Sequence, residues 1–302
     1  MNPVIPSIAF IGGGNMASAL IGGLLRAGHA PADIAVVEPF EAQREKLAQQ
    51  FGVVAQAAAD ARLAGVATVV WAVKPQLFAE AAAPCAAFVS RALQVSVMAG
   101  VRCAAIAQAV SQASTKLVTQ PTTQPITQTT TQQFLPPITQ AGGNARVVRA
   151  MPNTPALIGQ GVAGLYATPA VSAAARAEVD ALFAPTGATL WLDEENQLDA
   201  VTALSGSGPA YVFYFLEAMM QAATEMGLSP VQGRLLAQHT FAGATALARQ
   251  SPLAPHELRA QVTSKGGTTF AAINSLERSE VKAAFVRALH AARTRAQELG
   301  QG

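Results

Sequence analysis

Short apolar runs alternate with longer segments of helical spacing through the first two thirds of the chain. Ser7 to Ile11, Ile34 to Val37, Thr68 to Val73, Leu93 to Met98, Arg146 to Arg149 and Ala188 to Leu192 have the length and apolar content of strands. Ala-rich amphipathic segments separate several of them. Such alternation predicts a parallel, doubly wound sheet. After Asp193 only helical patterns remain: Gln197 to Ala203, Ala210 to Met226, Pro230 to Arg249, Pro255 to Val262, Thr268 to Leu276 and Glu280 to Leu299. Pro209, Pro230 and Pro255 stand at helix starts and Gly227 at a helix end. The pattern therefore predicts an α/β domain over residues 1–194 and an all-helical C-terminal domain over residues 195–302. Apolar residues from Tyr211 to Met220 are too dense for a half-solvated helix, which predicts burial inside the domain or at a subunit interface.

One stretch follows neither pattern. From Thr119 to Gln140 the chain reads TQPTTQPITQTTTQQFLPPITQ, with almost no charge and little apolar area to offset the entropy of ordering. It reads as a solvated insertion, residues 119–140, in the first domain.

Composition narrows the class. Hydrophobic residues make up 51% of the 302 and charged residues 13%, the balance of a globular protein. The formal net charge is only +2 and no dense basic run accompanies it, a poor footprint for nucleic acid or an anionic membrane. No apolar stretch approaches the roughly 20 residues of a spanning helix, and no secretory signal is read at the start. The two cysteines, Cys85 and Cys103, suit neither a disulfide framework nor a zinc site and fit a reducing cytoplasm. The four histidines, His29, His239, His256 and His290, form no close pair, so no metal is expected.

Candidate chemistry begins directly after the first strand. Gly12-Gly13-Gly14-Asn15-Met16-Ala17 carries Gly12, Gly14 and Ala17 at the offsets of the GxGxxA dinucleotide fingerprint. Gly12 permits the tight turn, Gly14 lets backbone approach pyrophosphate, and small Ala17 lets the following helix pack on the sheet. The helix opening at Asn15 and Met16 aims its positive end at the phosphates. The domain is thus Rossmann-like and its cofactor NADH or NADPH. Glu38 ends the second strand about 20 residues on, where a carboxylate accepts from the adenosine ribose hydroxyls and repels a 2′-phosphate. That favours NADH, whereas nearby Arg44 would clamp a phosphate if its loop folded back.

Four further segments complete the picture: Ala72-Val73-Lys74-Pro75, Arg149-Ala150-Met151-Pro152-Asn153-Thr154-Pro155-Ala156, Leu204 to Tyr211, and Glu257 to Thr269 continuing to Leu276-Glu277. Ala72, Val73, Lys74 and Pro75 leave a strand above the sheet's carboxyl edge, where open α/β folds hold ligands. Ser205 to Pro209 lacks the GxSxG spacing of a hydrolase elbow and reads as a loop whose serines cap a helix start. Ser264 to Thr269 combines two glycines, hydroxyls and a helix start, which reads equally as a carboxylate cradle or an ordinary capped helix.

With the glycine turn, these segments resemble the pyrroline-5-carboxylate reductase family over nearly the whole chain apart from the Thr/Gln/Pro tract. The resemblance implies reduction of 1-pyrroline-5-carboxylate to L-proline, the last step of proline biosynthesis, with NADH or NADPH. It implies that Met151, Pro152 and Asn153 border the nicotinamide. It implies a substrate carboxylate on Ser264, Gly266, Gly267, Thr268 and Thr269, with Ser264 and Thr269 as the catalytic pair. It also implies self-association through the C-terminal helices. Lys265 departs from the proline common in the family. Two rival readings are a 3-hydroxy acid dehydrogenase, for which Lys265 would be the catalytic lysine, and a non-catalytic nicotinamide sensor with the Thr/Gln/Pro tract as its arm.

Overall fold

The computed structural model describes residues 7–116 and 145–300. The Thr/Gln/Pro tract lies outside them. The chain falls into two compact units, one running to Gly206 and taking in the chain again from Arg295, the other Ser207–Thr294.

The first unit is built on strands β1 (Ile8–Ile11), β2 (Ile34–Val37), β3 (Thr68–Trp71), β4 (Leu93–Ser96), β5 (Val147–Met151), β6 (Gly161–Ala167) and β7 (Gly187–Trp191). They form one seven-stranded sheet in the order β2-β1-β3-β4-β5-β6-β7. Helices α1 (Asn15–Arg26), α2 (Glu41–Phe51), α3 (Phe78–Val89), α4 (Cys103–Lys116) and α5 (Ala173–Phe183) accompany it. Both faces are covered, which is why strands such as β2 and β3 are buried at every position. Phe10, Val36 and Val70 pack with Leu20, Leu24 and Phe183 on one face, while Ile11, Val69 and Trp71 pack with Phe78, Val89 and Ile106 on the other.

The doubly wound sheet stands, with one correction: it is mostly rather than wholly parallel. β6 runs antiparallel to β5 and goes unread in the sequence. Its glycines weaken the strand signal, and packing explains them. A Cβ on Gly161 would stand 2.8 Å from the Ala156 amide nitrogen, and one on Gly164 would stand 2.8 Å from Val201. Val201 ends a short helix, α6 (Gln197–Val201), which continues as a π-helical turn, Thr202–Gly206. This corrects the expected loop there.

The second unit contains α7 (Gly208–Glu225), α8 (Pro230–Gln250), α9 (Pro255–Gln261), α10 (Thr268–Arg278) and most of α11 (Val281–Leu299). A turn with Gly227 at φ +88° joins α7 to α8, and Ser229 and Gln232 cap α8 reciprocally. Tyr211 and Phe215 meet Phe285 edge-on at 5.7 Å. Few side chains in this unit are buried; Phe213, Tyr214, Leu235, Leu236 and Leu247 are exposed. No helix among the described residues is long and apolar enough to cross a membrane.

Candidate active site

β1 and β3 are neighbours, and the connection leaving β1 runs to β2 on one side while that leaving β3 runs to β4 on the other. Open α/β sheets hold ligands at such a switch point. The glycine turn fills it. Gly12 has φ +95°, and a Cβ there would stand 2.7 Å from the Ala72 carbonyl oxygen and 3.0 Å from Val73. Ala72 and Val73 are thus one wall of the turn, whereas Lys74 and Pro75 are exposed beyond it. Around the missing Cβ of Gly14 nothing lies within 4 Å, which is the room a pyrophosphate needs. Gly14 gives α1 no side-chain cap, so first-turn amides from Asn15 to Ala17 open toward that space. Asn15 is exposed, Met16 half-buried, and Ala17 buried against the core. The donor set fits a dinucleotide.

Glu38 stands beside this turn in a role beyond the one expected. Its Oε2 accepts from the Gly13 amide at 2.8 Å and its Oε1 from the Phe40 amide at 3.0 Å. The carboxylate therefore braces the turn before it can meet a ribose, with lone pairs left over for hydroxyl donors. Gln43 Nε2 donates to the Gly13 carbonyl from the other side. Arg44 Nη1 donates to the carbonyl oxygens of Glu38 and Pro39, which holds the guanidinium at the β2–α2 loop.

Farther along the carboxyl edge, Met151 ends β5 and Pro152 and Asn153 follow it. The Asn153 amide is a bracket: Nδ2 donates to the Ser205 carbonyl at 3.2 Å, and Oδ1 accepts from the Val162 amide at 3.0 Å. The Met151 Cε methyl lies 2.6 Å from where a Gly206 Cβ would be, so any larger residue there would have to displace the end of the Met151 side chain. Ser205 donates its hydroxyl to the Val201 carbonyl, and Ser207 makes no side-chain cap for α7, so neither serine caps the helix as expected. Behind the loop, Cys103 is buried. Burial first, then the Glu195 carboxylate, push its thiol up to about 12, and burial alone pushes Cys85 up to about 11. Neither is a thiolate nucleophile near neutral pH.

The remaining candidates lie in the second unit. Gly266, at φ +79°, and Gly267 close a turn in which the Gly267 amide donates to the Ser264 carbonyl at 3.0 Å. Ser264 Oγ would be 2.8 Å from a Gly267 Cβ, so the hydroxyl lies over the glycine. Gly267 is the N-cap of α10 and supplies no side chain, which leaves the amides after Thr268 and Thr269 uncapped. Ser264, Lys265, Gly266 and Thr268 are exposed, and Thr269 is half-buried. The glycine turn and the cradle thus belong to different compact units.

A family model described as pyrroline-5-carboxylate reductase dimerisation matches residues 195–299, and one described as NADP oxidoreductase, coenzyme F420-dependent, matches residues 7–100. A pyrroline-5-carboxylate reductase of Pseudomonas aeruginosa is 40% identical, over 98% of this chain and 97% of its own length. The chain belongs to the pyrroline-5-carboxylate reductase family. Another family member, from Haemophilus influenzae, is 35% identical over 97% of both chains. The solved family member from Coxiella burnetii is 31% identical and has a TM-score of 0.80, covering 98% of this chain and 99% of its own. The family's dimerisation region begins at residue 195, so it takes in α6 and the π-helical turn ahead of the compact unit that opens at Ser207.

Sequence reasoning missed Gly13 and Gln43. The fingerprint leaves the position of Gly13 free, but a Cβ there would stand 2.7 Å from Leu47 Cδ1. The middle glycine of the GGG run was the available signal. Nothing local marked Gln43, because its partner lies in another element.

Proposed function

We propose that the chain reduces 1-pyrroline-5-carboxylate to L-proline with NADH or NADPH, the closing step of proline biosynthesis. One observation carries the reading: a member of this family has both a dinucleotide turn with open room at Gly14 and a hydroxyl-bearing glycine turn whose helix lacks a side-chain cap. Gly12, Gly14, Asn15, Met16 and Ala17 would hold the pyrophosphate, and Glu38 the adenosine ribose, in favour of NADH. Ala72, Val73, Lys74 and Pro75 would border the cofactor, with Met151, Pro152 and Asn153 beside its ring. A bound reduced nicotinamide supplies hydride to the imine carbon.

Ser264, Gly266, Gly267 and Thr268 would hold the substrate carboxylate through hydroxyl and amide donors, because an uncapped helix start favours an anion. Thr269 would hydrogen-bond the ring nitrogen. No Asp, Glu or His belongs to the cradle, so the imine enters already protonated and the nitrogen needs no further proton during reduction. Residues 1–194 then act as the dinucleotide domain and 195–302 as the substrate and dimerisation domain. The outward apolar side chains of α7 and α8 support burial against a second copy. Two free cysteines are in keeping with a cytoplasmic setting. The test is direct: purified protein should oxidise NADH or NADPH only when 1-pyrroline-5-carboxylate is present, with proline as product. Absence of proline with both cofactors overturns the reading.

A further inference from the structure

Two ion pairs at the carboxyl edge of the sheet are not used by the reaction described above. Arg149 Nη1 meets Glu195 Oε1 at 2.8 Å, and Arg102 Nη2 meets Asp199 Oδ2 at 3.0 Å. Arg149 and Asp199 are only 4% and 3% exposed. The Glu195 oxygen also accepts from the Cys103 amide at 2.7 Å, at the start of α4, where a carboxylate suits the positive end of the helix. Arg149 Nε is buried without a hydrogen-bond partner. Burying charge this deeply costs desolvation that the pairing barely offsets, and apolar side chains of similar size would hold a core as well. Stability alone is therefore a weak reason for these residues; geometry is a better one.

The elements they join are those that shape the nicotinamide side. Arg149 stands on β5 just ahead of Met151, on the same face of the strand. Glu195 lies just ahead of α6 and Asp199 within it, and the helix runs straight into Thr202–Gly206. That turn receives Asn153 through the Ser205 carbonyl and packs Gly206 on Met151. π-Helical turns recur at functional sites, and this one needs its preceding helix held in place. We infer that Arg149–Glu195 and Arg102–Asp199 are positioning pairs that hold α6 and the π-helical turn against Met151 to Asn153, and so fix the orientation of the reduced nicotinamide. The inference rests on the reductase reading for what the orientation serves.

Asp199→Asn in the full-length protein is the principal test, because it keeps the shape and leaves Arg102 partly solvated. Arg102→Lys, which keeps the charge, is its control. If the pairs position the ring, kcat should fall roughly tenfold to a hundredfold while the imine KM and cofactor Kd stay within about twofold. The isotope effect with 4-deuterated cofactor should rise, the emission of bound NADH should shift, and Arg102→Lys alone should keep most of the wild-type rate. A folded Asp199→Asn protein with wild-type kcat, isotope effect and emission overturns the inference. The emission measurement needs no imine. A wild-type protein that makes no proline would therefore sink the reductase reading and leave the positioning claim to be decided by the emission.

Discussion

Gly12 to Ala17 and Ser264 to Thr269 use the same device, a glycine-bearing turn feeding a helix without a side-chain cap, but they are held in opposite ways. The first is walled by core: Ala72 and Leu47 each stand 2.7 Å from a would-be Cβ, and Glu38 and Gln43 grip the Gly13 peptide from both sides. The second has nothing within 4 Å of the missing Gly266 Cβ and relies on local bonds such as Thr263 Oγ1 to the Arg259 carbonyl. A turn fixed by its own core is set before any ligand arrives. The exposed turn offers hydroxyls and amides to whatever it binds, and its shape depends on its own short-range contacts.

The largest expected effect breaks the first turn. Gly12→Ala combines a left-handed backbone with overlap on the Ala72 carbonyl, which cannot move without β3. Strain and overpacking together cost about 2 to 6 kcal/mol. Thermal unfolding should show a large loss of stability, along with loss of cofactor binding. Gly266→Ala meets open space and should cost only the left-handed strain, about 1 to 2 kcal/mol. Gly14→Ala completes the set: its Cβ also meets open space, so Tm should hold while cofactor affinity falls. Equal losses of stability in Gly12→Ala and Gly266→Ala would erase the contrast.

Next come Ser264 and Thr269. If their hydroxyls meet the charged substrate, each change to Ala removes a hydrogen bond worth roughly 1.5 to 3 kcal/mol, about 10- to 150-fold in kcat/KM. Cofactor Kd should barely change. Thr269→Ala should act on kcat and Ser264→Ala on KM, as steady-state kinetics would resolve. Wild-type kcat/KM in both variants would leave the second turn an ordinary helix start.

The two turns also mark how far the sequence could be read. Gly12, Gly14 and Ala17 were legible because their reasons are local: a tight turn, room for backbone, and a small residue on a helix. The strands reported their own burial through runs such as Thr68 to Trp71. What escaped depends on distant partners. Gly164 is glycine because of Val201, Gly206 lies against the end of Met151, and Glu38 is tied to a peptide on another strand's turn. Arg149 and Glu195 look like ordinary surface charges in the sequence until β5 and α6 bring them to 2.8 Å. The Ser264 to Thr269 turn was legible as a turn, but only the resemblance assigned it a substrate.

A smaller effect tests the brace on the first turn. Glu38→Ser removes the bond that holds the Gly13 amide and, if Glu38 faces the adenosine ribose, a charge that would disfavour a 2′-phosphate. Use of NADPH relative to NADH should rise about tenfold, equivalent to ~1.4 kcal/mol, measured as the ratio of kcat/KM values. Because the brace is lost as well, affinity for both cofactors should fall. A shifted ratio with unchanged affinity would mean that Glu38 reads the ribose and does not shape the turn.

The smallest effect concerns the second turn's support. Arg259 Nη1 reaches Glu277 Oε1 at 3.3 Å, linking α9 to α10 across the turn, with side chains 49% and 54% exposed. An ion pair that open contributes roughly 0.2 to 1 kcal/mol and is screened by salt. Arg259→Ala should therefore lower Tm by about 4 °C at most. It should raise the imine KM slightly and leave cofactor Kd alone, because the glycine turn has its own walls. The salt dependence makes the test sharper: near 1 M salt, where screening acts over about 3 Å, the variant and wild type should converge. No such convergence is expected for Gly12→Ala, whose cost is steric. If Arg259→Ala instead cut kcat/KM tenfold or more at any salt concentration, Arg259 would be touching the substrate, and the second turn would extend further than its glycines and hydroxyls.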